Sequence, residues 1–182
     1  PELRPKNFAL DNSADDEFFK HALDCFDPDG KFEFWVHLRP TTPLRDPSVI
    51  LDAITSITSD CRATSLRSGH LASESPLKWF LVDDDGYFVP LMEGLSVEAI
   101  NKPRQKFQDV VIPNGYVDIV KRSCFFHSGS LHGDRMMVFK TKNTVEIDSY
   151  SDFAYCEYQS KAQSDSLGAY LQGFKNVLCR RI

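Results

Sequence analysis

The sequence predicts an α/β protein with a mostly parallel sheet, and three patterns carry that prediction. A helical stripe of apolar residues runs through 13–26, and a short, near-continuous apolar run follows at 32–38. A second helical pattern begins at Ser48 and leads into a β-like run at 61–68. A strand, a loop, a helix and a strand within about 35 residues form a βαβ unit.

The N-terminal elements follow from local signals. Ser13 is placed to cap the first helix, acidic residues fill its first turn, and DPDG at 27–30 forms a turn. The run FEFWVHL at 32–38 predicts a strand buried on both faces of the sheet.

In the middle and at the end of the chain, the sequence predicts a hairpin, two further strands and a helix. WFLVDDDGYFVPL at 79–91 predicts a β-hairpin around DDDG, and another strand follows at 115–120. VEI at 145–147 is expected to be the last sheet strand, followed by a helix capped by Ser151. We therefore expect one domain over 1–160, with 71–112 as an inserted arm that is typical of a lid or a dimer contact, and a helical tail over 161–182.

The composition limits the classes of protein to which the chain could belong. The 182 residues are 42% hydrophobic and 26% charged, with a net charge of -5. This balance gives no reason to expect nucleic acid or an anionic membrane as partner. The sequence has no apolar run long enough for a membrane span, and five scattered cysteines without CxxC spacing predict mostly buried thiols. We expect a cytoplasmic protein, with none of the five histidines binding metal.

Basic residues in three loops are candidate anion ligands. Arg39 and Arg45 follow the first strand, Lys78 precedes the hairpin, and Arg104 lies within a small basic cluster at 102–106. In open α/β sheets, ligands bind beyond the carboxyl ends of strands. A solvated loop is the alternative for each group, and it stays open on spacing alone.

Two carboxylates near the C-terminal end suggest a metal. Glu146 and Asp148 are two residues apart, so on a strand they would project to the same side. Paired carboxylates beside substrate phosphates suit Mg²⁺ (or Mn²⁺), which favours phosphoryl or nucleotidyl transfer. The alternative is an exposed acidic strand end that caps the next helix.

Seven segments together resemble the acylneuraminate cytidylyltransferases, the CMP-sialic acid synthetases. In order from Arg4 to Glu157 they are RPKNFALDNS, HLRPTTPLRDP, SPLKW, KPRQ, PNGYVDIV, SGSLHGDR and VEIDSYSDF. The resemblance implies a Rossmann-like nucleotide-diphosphosugar transferase (GT-A-like) fold. It also implies transfer of CMP from CTP to an acidic nine-carbon sugar, with a homodimer formed through the hairpin arm.

The resemblance also implies residue roles. Its motifs carry a catalytic role to Arg104 and Asp148, and Mg²⁺ binding to Glu146 and Asp148. The implied sugar-binding residues are Arg39, Lys78, Gln105, Asn114, Gly115 and Asp118, and the implied nucleotide-binding residues are Arg4 and Ser13.

Departures from the family pattern qualify these expectations. Arg39 stands where glutamine is usual, Asp118 where tyrosine is frequent, and Glu146 where aspartate is usual. The first two suggest a legionaminic, pseudaminic or other acidic sugar instead of the common sialic acid. The family's N-terminal glycine-containing CTP loop has no counterpart in residues 1–182, so we expect this chain to bind CTP poorly and to be weakly active or inactive. A catalytically inactive sugar-binding or dimerisation module and a Kdo-type cytidylyltransferase are the alternatives.

Overall fold

The computed structural model describes residues 3–10, 13, 15–128 and 130–162. Its helices and strands alternate along the chain as an α/β protein requires, which confirms the predicted class. In chain order they are α1 (Asp15–Phe26), β1 (Phe34–His37), α2 (Pro47–Ser59), β2 (Ser65–Leu71), β3 (Phe80–Val82), β4 (Phe88–Pro90), α3 (Val97–Ile100), β5 (Val111–Lys121), α4 (Arg122–Ser128), β6 (Met136–Lys140) and α5 (Tyr150–Ala162).

Four of the strands form a sheet in the order β1-β5-β2-β6. β5 pairs antiparallel with both β1 and β2, whereas β2 pairs parallel with β6. Strands β1, β2 and β6 therefore point the same way, as the prediction of a mostly parallel sheet requires. The two strands of the predicted βαβ unit, β1 and β2, do not pair with each other, because β5 lies between them and runs antiparallel to both.

Apolar side chains on the two faces of β5 hold one helix on each side of the sheet. Val117 and Ile119 face α2, where they pack with Ala53, Ile57 and Leu66 in one buried cluster. Val120 faces α1, where it packs with Phe19 and Leu23 in a second cluster. The side chains alternate because successive residues of a strand point to opposite faces.

β5 begins at Val111, ahead of the strand predicted at 115–120, and it contains a bulge at the PNG segment. The register passes from Arg67–Asp118 to Gly69–Pro113, so Ser68 alone lies opposite residues 114–117. The Ser68 hydroxyl fills this gap by donating to Asn114 Oδ1 at 2.7 Å and accepting from the amide of Val117 at 2.9 Å. The bulge turns the backbone of Gly115 toward the loop after β1.

Two predicted strands differ from the structure. β1 is half-buried and pairs only with β5 among the described strands, so it is not a strand buried on both faces. Residues 145–147 form no strand, and β6 is the last described strand. The amide of Ile147 donates instead to the carbonyl of Thr41 at 2.8 Å, which ties this segment to the loop after β1.

The predicted hairpin is present as a separate two-stranded sheet. β3 and β4 pair antiparallel, with Phe80 opposite Pro90 and Val82 opposite Phe88. Many of its large apolar side chains are exposed, and Tyr87 and Phe88 have 72% and 69% of their surface in contact with solvent. An apolar arm of this kind is typical of a surface that another protein covers.

The last described helix begins two residues earlier than its predicted cap suggests. The hydroxyl of Ser149, not that of Ser151, accepts from the amide of Asp152 at 3.3 Å. The Asp152 carboxylate in turn accepts from the amide of Ser149 at 2.8 Å, which completes a capping box. Residues 163–182 of the predicted tail lie outside the described residues.

The cysteines follow their prediction only in part. Cys156 is buried, but Cys25 and Cys61 are exposed, and Cys179 lies outside the described residues. In the described part of the chain, no helix combines the length and the apolar character needed to cross a membrane.

Candidate active site

The loop after β1 is fastened to the bulge of β5 by Arg45. Its guanidinium donates to the carbonyls of Tyr116 (2.6 Å), Arg39 (2.6 Å) and Gly115 (2.8 Å). The amide of Asp46 donates to the hydroxyl of Tyr116 at 2.6 Å. Arg45, which the sequence offered as an anion ligand, is therefore mainly a clamp between the loop and the strand.

Gly115 is the buried centre of a contact cluster with Arg39, Thr42 and Glu146, a cluster that we call the hollow. A Cβ atom at this position would lie 2.7 Å from Thr42 Oγ1, 2.8 Å from Glu146 Oε1 and 3.0 Å from Arg39 Cδ. Only glycine leaves room for these three side chains to approach the backbone so closely. The loop after β1, the bulge and the segment around Glu146 therefore meet at one point.

Thr42 is the unusual member of this hollow. The residue is fully buried, and its hydroxyl makes no hydrogen bond to any part of the chain that the structure describes. Buried hydroxyls normally have a partner, so an unsatisfied one needs an explanation. Here it marks a polar position beside Glu146 that a ligand group or a water molecule could satisfy.

A charged row crosses the sheet next to the hollow, on the face that α1 covers. His37 of β1, Asp118 of β5 and Arg67 of β2 are cross-strand neighbours. Asp118 lies 3.7 Å from Arg39 Nη2 and 3.5 Å from Arg67 Nε, and its side chain is only 4% exposed. Arg39 also contacts the carboxylate of Asp15 at 2.5 Å. The structure therefore places Asp118 between two guanidinium groups.

Burial shifts the pKa values of Asp118 and His37 in this row and of His132, which interacts with Asp118. It raises the pKa of Asp118, and the positive charges of Arg67 and Arg39 oppose that shift. Burial lowers the pKa of His37 and of His132, while the Asp118 carboxylate opposes both shifts. Both imidazoles are thus held toward the neutral form, which suits a compact site that already contains two guanidinium groups.

Asn114 is buried and engaged with the protein itself. Its Oδ1 accepts from Ser68, and its Nδ2 donates to Thr141 Oγ1 at 3.0 Å and lies 3.3 Å from His70 Nδ1. These contacts fix the bulge and join β5 to the end of β6. The structure therefore assigns Asn114 a part in shaping the hollow, beside the sugar-binding role that the resemblance implies.

Lys78, Arg104 and Gln105 form a second group beyond the end of β2. Arg104 donates to the carbonyls of Ser73 (2.8 Å) and Ala72 (2.7 Å), and Lys78 donates to the carbonyl of Lys102 at 3.1 Å. Ala72 lies two residues past His70, the neighbour of Asn114, which is roughly 7 Å along a strand. Ala72 itself pairs with Val110, five residues before Gly115, so the second group lies apart from the hollow, and Gln105 is exposed.

Arg4 and Ser13 lie on the other flank. The Arg4 guanidinium stacks 4.5 Å from the ring of Phe18, which in turn makes an edge contact with His37. The Ser13 hydroxyl accepts from the amide of Leu10 at 3.0 Å and serves a local turn instead of the predicted cap. Arg4 therefore borders the charged row through Phe18.

Glu146 and Asp148 do not share a strand face. Glu146 is half-buried over Gly115, whereas Asp148 is exposed at the bend before α5 and its amide donates to Asp152 at 3.3 Å. The described residues contain no cluster of three or more His, Cys, Asp or Glu side chains that could hold a metal. A site built from Glu146 and Asp148 would depend on substrate phosphates for further ligands, as Mg²⁺ sites commonly do.

Three residues of the site were not predicted from the sequence: Asp15, Arg67 and Ser68. Of these, only Arg67 could have been identified from the sequence, because a charged side chain in the middle of a buried strand needs a partner. Asp15 looked like an ordinary first-turn acid, and nothing local distinguishes Ser68 before the register of β2 and β5 is known.

An open groove of about 740 Å³ lies on the other side of the same loop. Arg45 and Tyr116 separate it from the hollow, and its rim includes Asp52, Lys142 and Gln159. The groove lies beyond the carboxyl end of β6, at the sheet edge where ligands of α/β proteins bind.

Comparison with solved structures finds the same type of α/β fold in another protein. The chain superposes on a CMP:2-keto-3-deoxy-manno-octonic acid synthetase complexed with CTP, with a TM-score of 0.56. The match covers 84% of this chain and 70% of that chain at 11% sequence identity, which is evidence for the fold alone.

The chain is also similar in sequence to a known protein. The chain is 25% identical over 159 residues to the N-acylneuraminate cytidylyltransferase of Escherichia coli O18:K1:H7 (strain RS218 / NMEC). The match covers 83% of this chain but only 35% of the relative's length, and the chain matches no protein-family model. The predicted resemblance to the CMP-sugar cytidylyltransferases is thus confirmed.

Proposed function

We propose that the protein takes part in cytidylyl transfer from CTP to an acidic nine-carbon sugar, giving a CMP-sugar and pyrophosphate. The observation that carries the proposal is the convergence of Arg39, Gly115 and Glu146 at one hollow beyond the carboxyl end of β1. These three residues come from segments that the resemblance had assigned to the sugar site and the metal site. Their convergence is what a transferase site would require.

Each group has a chemical part in this proposal. The sugar carboxylate needs a cationic partner, which Arg39 supplies. Lys78, Arg104 and Gln105 lie beyond the end of β2, and Arg4 borders the charged row on the other flank, where the nucleotide would enter. Catalysis would then consist of positioning the attacking hydroxyl in line with the α-phosphate and stabilising charge.

Mg²⁺ fits the proposal as a metal held by Glu146, Asp148 and substrate phosphates. When bound, the metal would neutralise charge on the transferring group and on pyrophosphate. Asp148, assigned a catalytic role by the resemblance, would act only as a ligand. Its exposed position at the bend leaves its carboxylate open to solvent and to an incoming triphosphate.

The hairpin arm supports a homodimer as part of the same proposal. Its exposed aromatic side chains offer an apolar surface that a second copy of the arm could bury, and the arm adjoins the segment that carries Arg104. We also propose a cytoplasmic location, where CTP would be available to the protein.

The sugar is proposed to be of the sialic, legionaminic or pseudaminic type. The sequence relative acts, by its name, on an acylneuraminate, whereas the Kdo synthetase shares only the fold. The Arg39–Asp118 pair, in place of the usual glutamine and tyrosine, favours an acidic sugar other than the common sialic acid.

A catalytically inactive sugar-binding module is the second candidate, and the engagement of Arg104 favours it. Both terminal nitrogens of this guanidinium already donate to backbone carbonyls. An arginine fixed in this way has fewer donors left for a substrate, although a guanidinium carries five in total.

Pyrophosphate release tests both candidates. The chain is incubated with CTP, Mg²⁺ and, in turn, N-acetylneuraminate, legionaminate, pseudaminate and Kdo, while calorimetry measures binding of each sugar. Release with an acylated nine-carbon sugar supports the transferase, and binding without release supports the inactive module. Absence of both binding and release with every sugar contradicts the two candidates together.

A further inference from the structure

Arg67 is a charged residue in the middle of β2 to which the family motifs assign no role. Its side chain is 31% exposed, and its Nε lies 3.5 Å from Asp118 Oδ1. Neither of these two atoms makes a hydrogen bond within the described part of the chain, although both are buried. The contact is therefore electrostatic and incompletely satisfied.

Arg39 occupies the matching position on the other side of the same carboxylate. Its side chain is 26% exposed, and its Nη2 lies 3.7 Å from Asp118 Oδ2. Each guanidinium thus approaches a different oxygen of one buried carboxylate while part of its own surface stays in solvent. Asp118 holds the two cations side by side but neutralises only one of their two charges.

A carboxylate is already bound at the exposed end of this arrangement. Asp15, the first residue of α1, places Oδ2 2.5 Å from Arg39 Nη2 and keeps 38% of its side chain exposed. A substrate carboxylate could therefore replace Asp15 in a contact that is only partly buried. Guanidinium groups bind carboxylates in a planar geometry with strong, charge-assisted hydrogen bonds.

We propose that Arg67 is a specificity-determining residue of the acceptor site, which together with Arg39 binds the carboxylate of the acidic sugar. Asp118 is the positioning residue that sets the spacing of the two guanidinium groups. This inference rests on the proposed function, because it names the group of the proposed sugar that the pair recognises. It also explains why Arg39 and Asp118, two departures from the family pattern, lie next to each other.

The test compares an acidic sugar with an uncharged analogue. Calorimetry measures the dissociation constants of N-acetylneuraminate and of its methyl ester for the wild-type protein and for Arg67→Gln. We expect the substitution to weaken binding of the acid about tenfold or more, and to change binding of the ester less than about threefold, because only the acid loses a charge-assisted contact. Arg62→Gln, at a side chain that is 72% exposed and pairs with Asp60, is the matched control and should change neither.

A folding defect would be separated from a binding defect by a second variant. Arg67→Gln leaves Asp118 with one cation fewer, whereas Arg67→Gln/Asp118→Asn also removes the buried carboxylate charge. Both variants should show the same loss of preference for the acid over the ester. Unchanged affinity for the acid, or equal weakening of acid and ester, would overturn the inference, whereas a wild-type protein that binds no acidic sugar would overturn the proposed function itself.

Discussion

At the scale of single residues, the site depends on one glycine and one arginine that the sequence offered as ligand-binding residues. Gly115 provides the space in which three segments meet, and Arg45 donates to the carbonyls of Gly115 and Tyr116 in the bulge and of Arg39 in the loop. Neither role involves a ligand. The chemistry of the hollow is thus prepared by residues whose own contribution is to backbone geometry.

Gly115→Ala is expected to destabilise the protein by about 1–3 kcal/mol, the usual range for an added methyl group in a packed site. The new Cβ would clash with Thr42 Oγ1, a buried atom on a side chain with restricted rotation. Chemical unfolding of Gly115→Ala, Thr42→Ala and the double variant measures the effect. Thr42→Ala should relieve part of the loss, and additive effects of the two substitutions would exclude this clash as the cause.

Arg45→Met should lower the free energy of unfolding by about 2–3 kcal/mol, because buried carbonyls would lose their donor. Arg62→Met is the control, since Arg62 is exposed and its ion pair with Asp60 should contribute less than about 1 kcal/mol. Urea denaturation of the two variants provides the comparison. Equal losses in both variants would show that Arg45 does not act as a clamp.

At the scale of secondary-structure elements, the hairpin arm and the bulged strand have separate tasks. β5 shapes the site through its register with β2, while β3 and β4 form their own small sheet with many exposed apolar side chains. A two-stranded sheet alone has little stability in water. The arm is therefore the element from which we expect a contact with another copy of the chain.

Replacing Tyr87 and Phe88 of the arm by serine is expected to convert a dimer to a monomer. Both side chains are mostly exposed, so the substitution should leave the unfolding temperature of the monomer nearly unchanged. Light scattering after size-exclusion chromatography measures the mass of each protein. Leu51→Ser, at an exposed side chain of α2, is the control. A wild-type protein that is monomeric at high concentration would contradict the dimer proposal.

How far the sequence predicts the structure also depends on the element. The helices α1 and α2 and the hairpin carry strong local signals, namely apolar stripes and a DDDG turn, and the structure contains all three. The strand expected at 145–147 is absent, and the amide of Ile147 donates instead to the carbonyl of Thr41 in the loop after β1. Contacts between residues distant in sequence, such as Arg67 with Asp118, leave no local pattern from which they could be predicted.

At the scale of the whole molecule, the charged row makes stability depend on pH. His37 and His132 have lowered pKa values, so below their ordinary value of 6.5 the unfolded chain binds protons that the folded protein resists. The raised pKa of Asp118 acts in the opposite direction, since stability from that group is lost as the pH rises above its ordinary value of 3.8. Asp15, Arg39 and Arg67 are the charged side chains that contact this row.

We expect the unfolding temperature to fall as the pH is lowered from 7.5 through 6.5, because both imidazoles must then be protonated on unfolding. The His37→Gln/His132→Gln variant should lose most of this dependence in that range, whatever its stability at pH 7.5. Thermal denaturation followed by circular dichroism at closely spaced pH values provides the measurement. An identical slope in the wild type and the variant would assign the dependence to other groups.

The central claim is that the hollow at Gly115 is the acceptor site for an acidic sugar. Titration of the ¹⁵N-labelled protein with N-acetylneuraminate, followed by amide chemical shifts, tests that claim most directly because it needs neither CTP nor turnover. We expect the largest shifts at Gly115, Thr42 and Arg67, with saturation at sugar concentrations typical of a specific site. Shifts confined to the groove residues Asp52 and Lys142, or no saturable shifts at all, would contradict it.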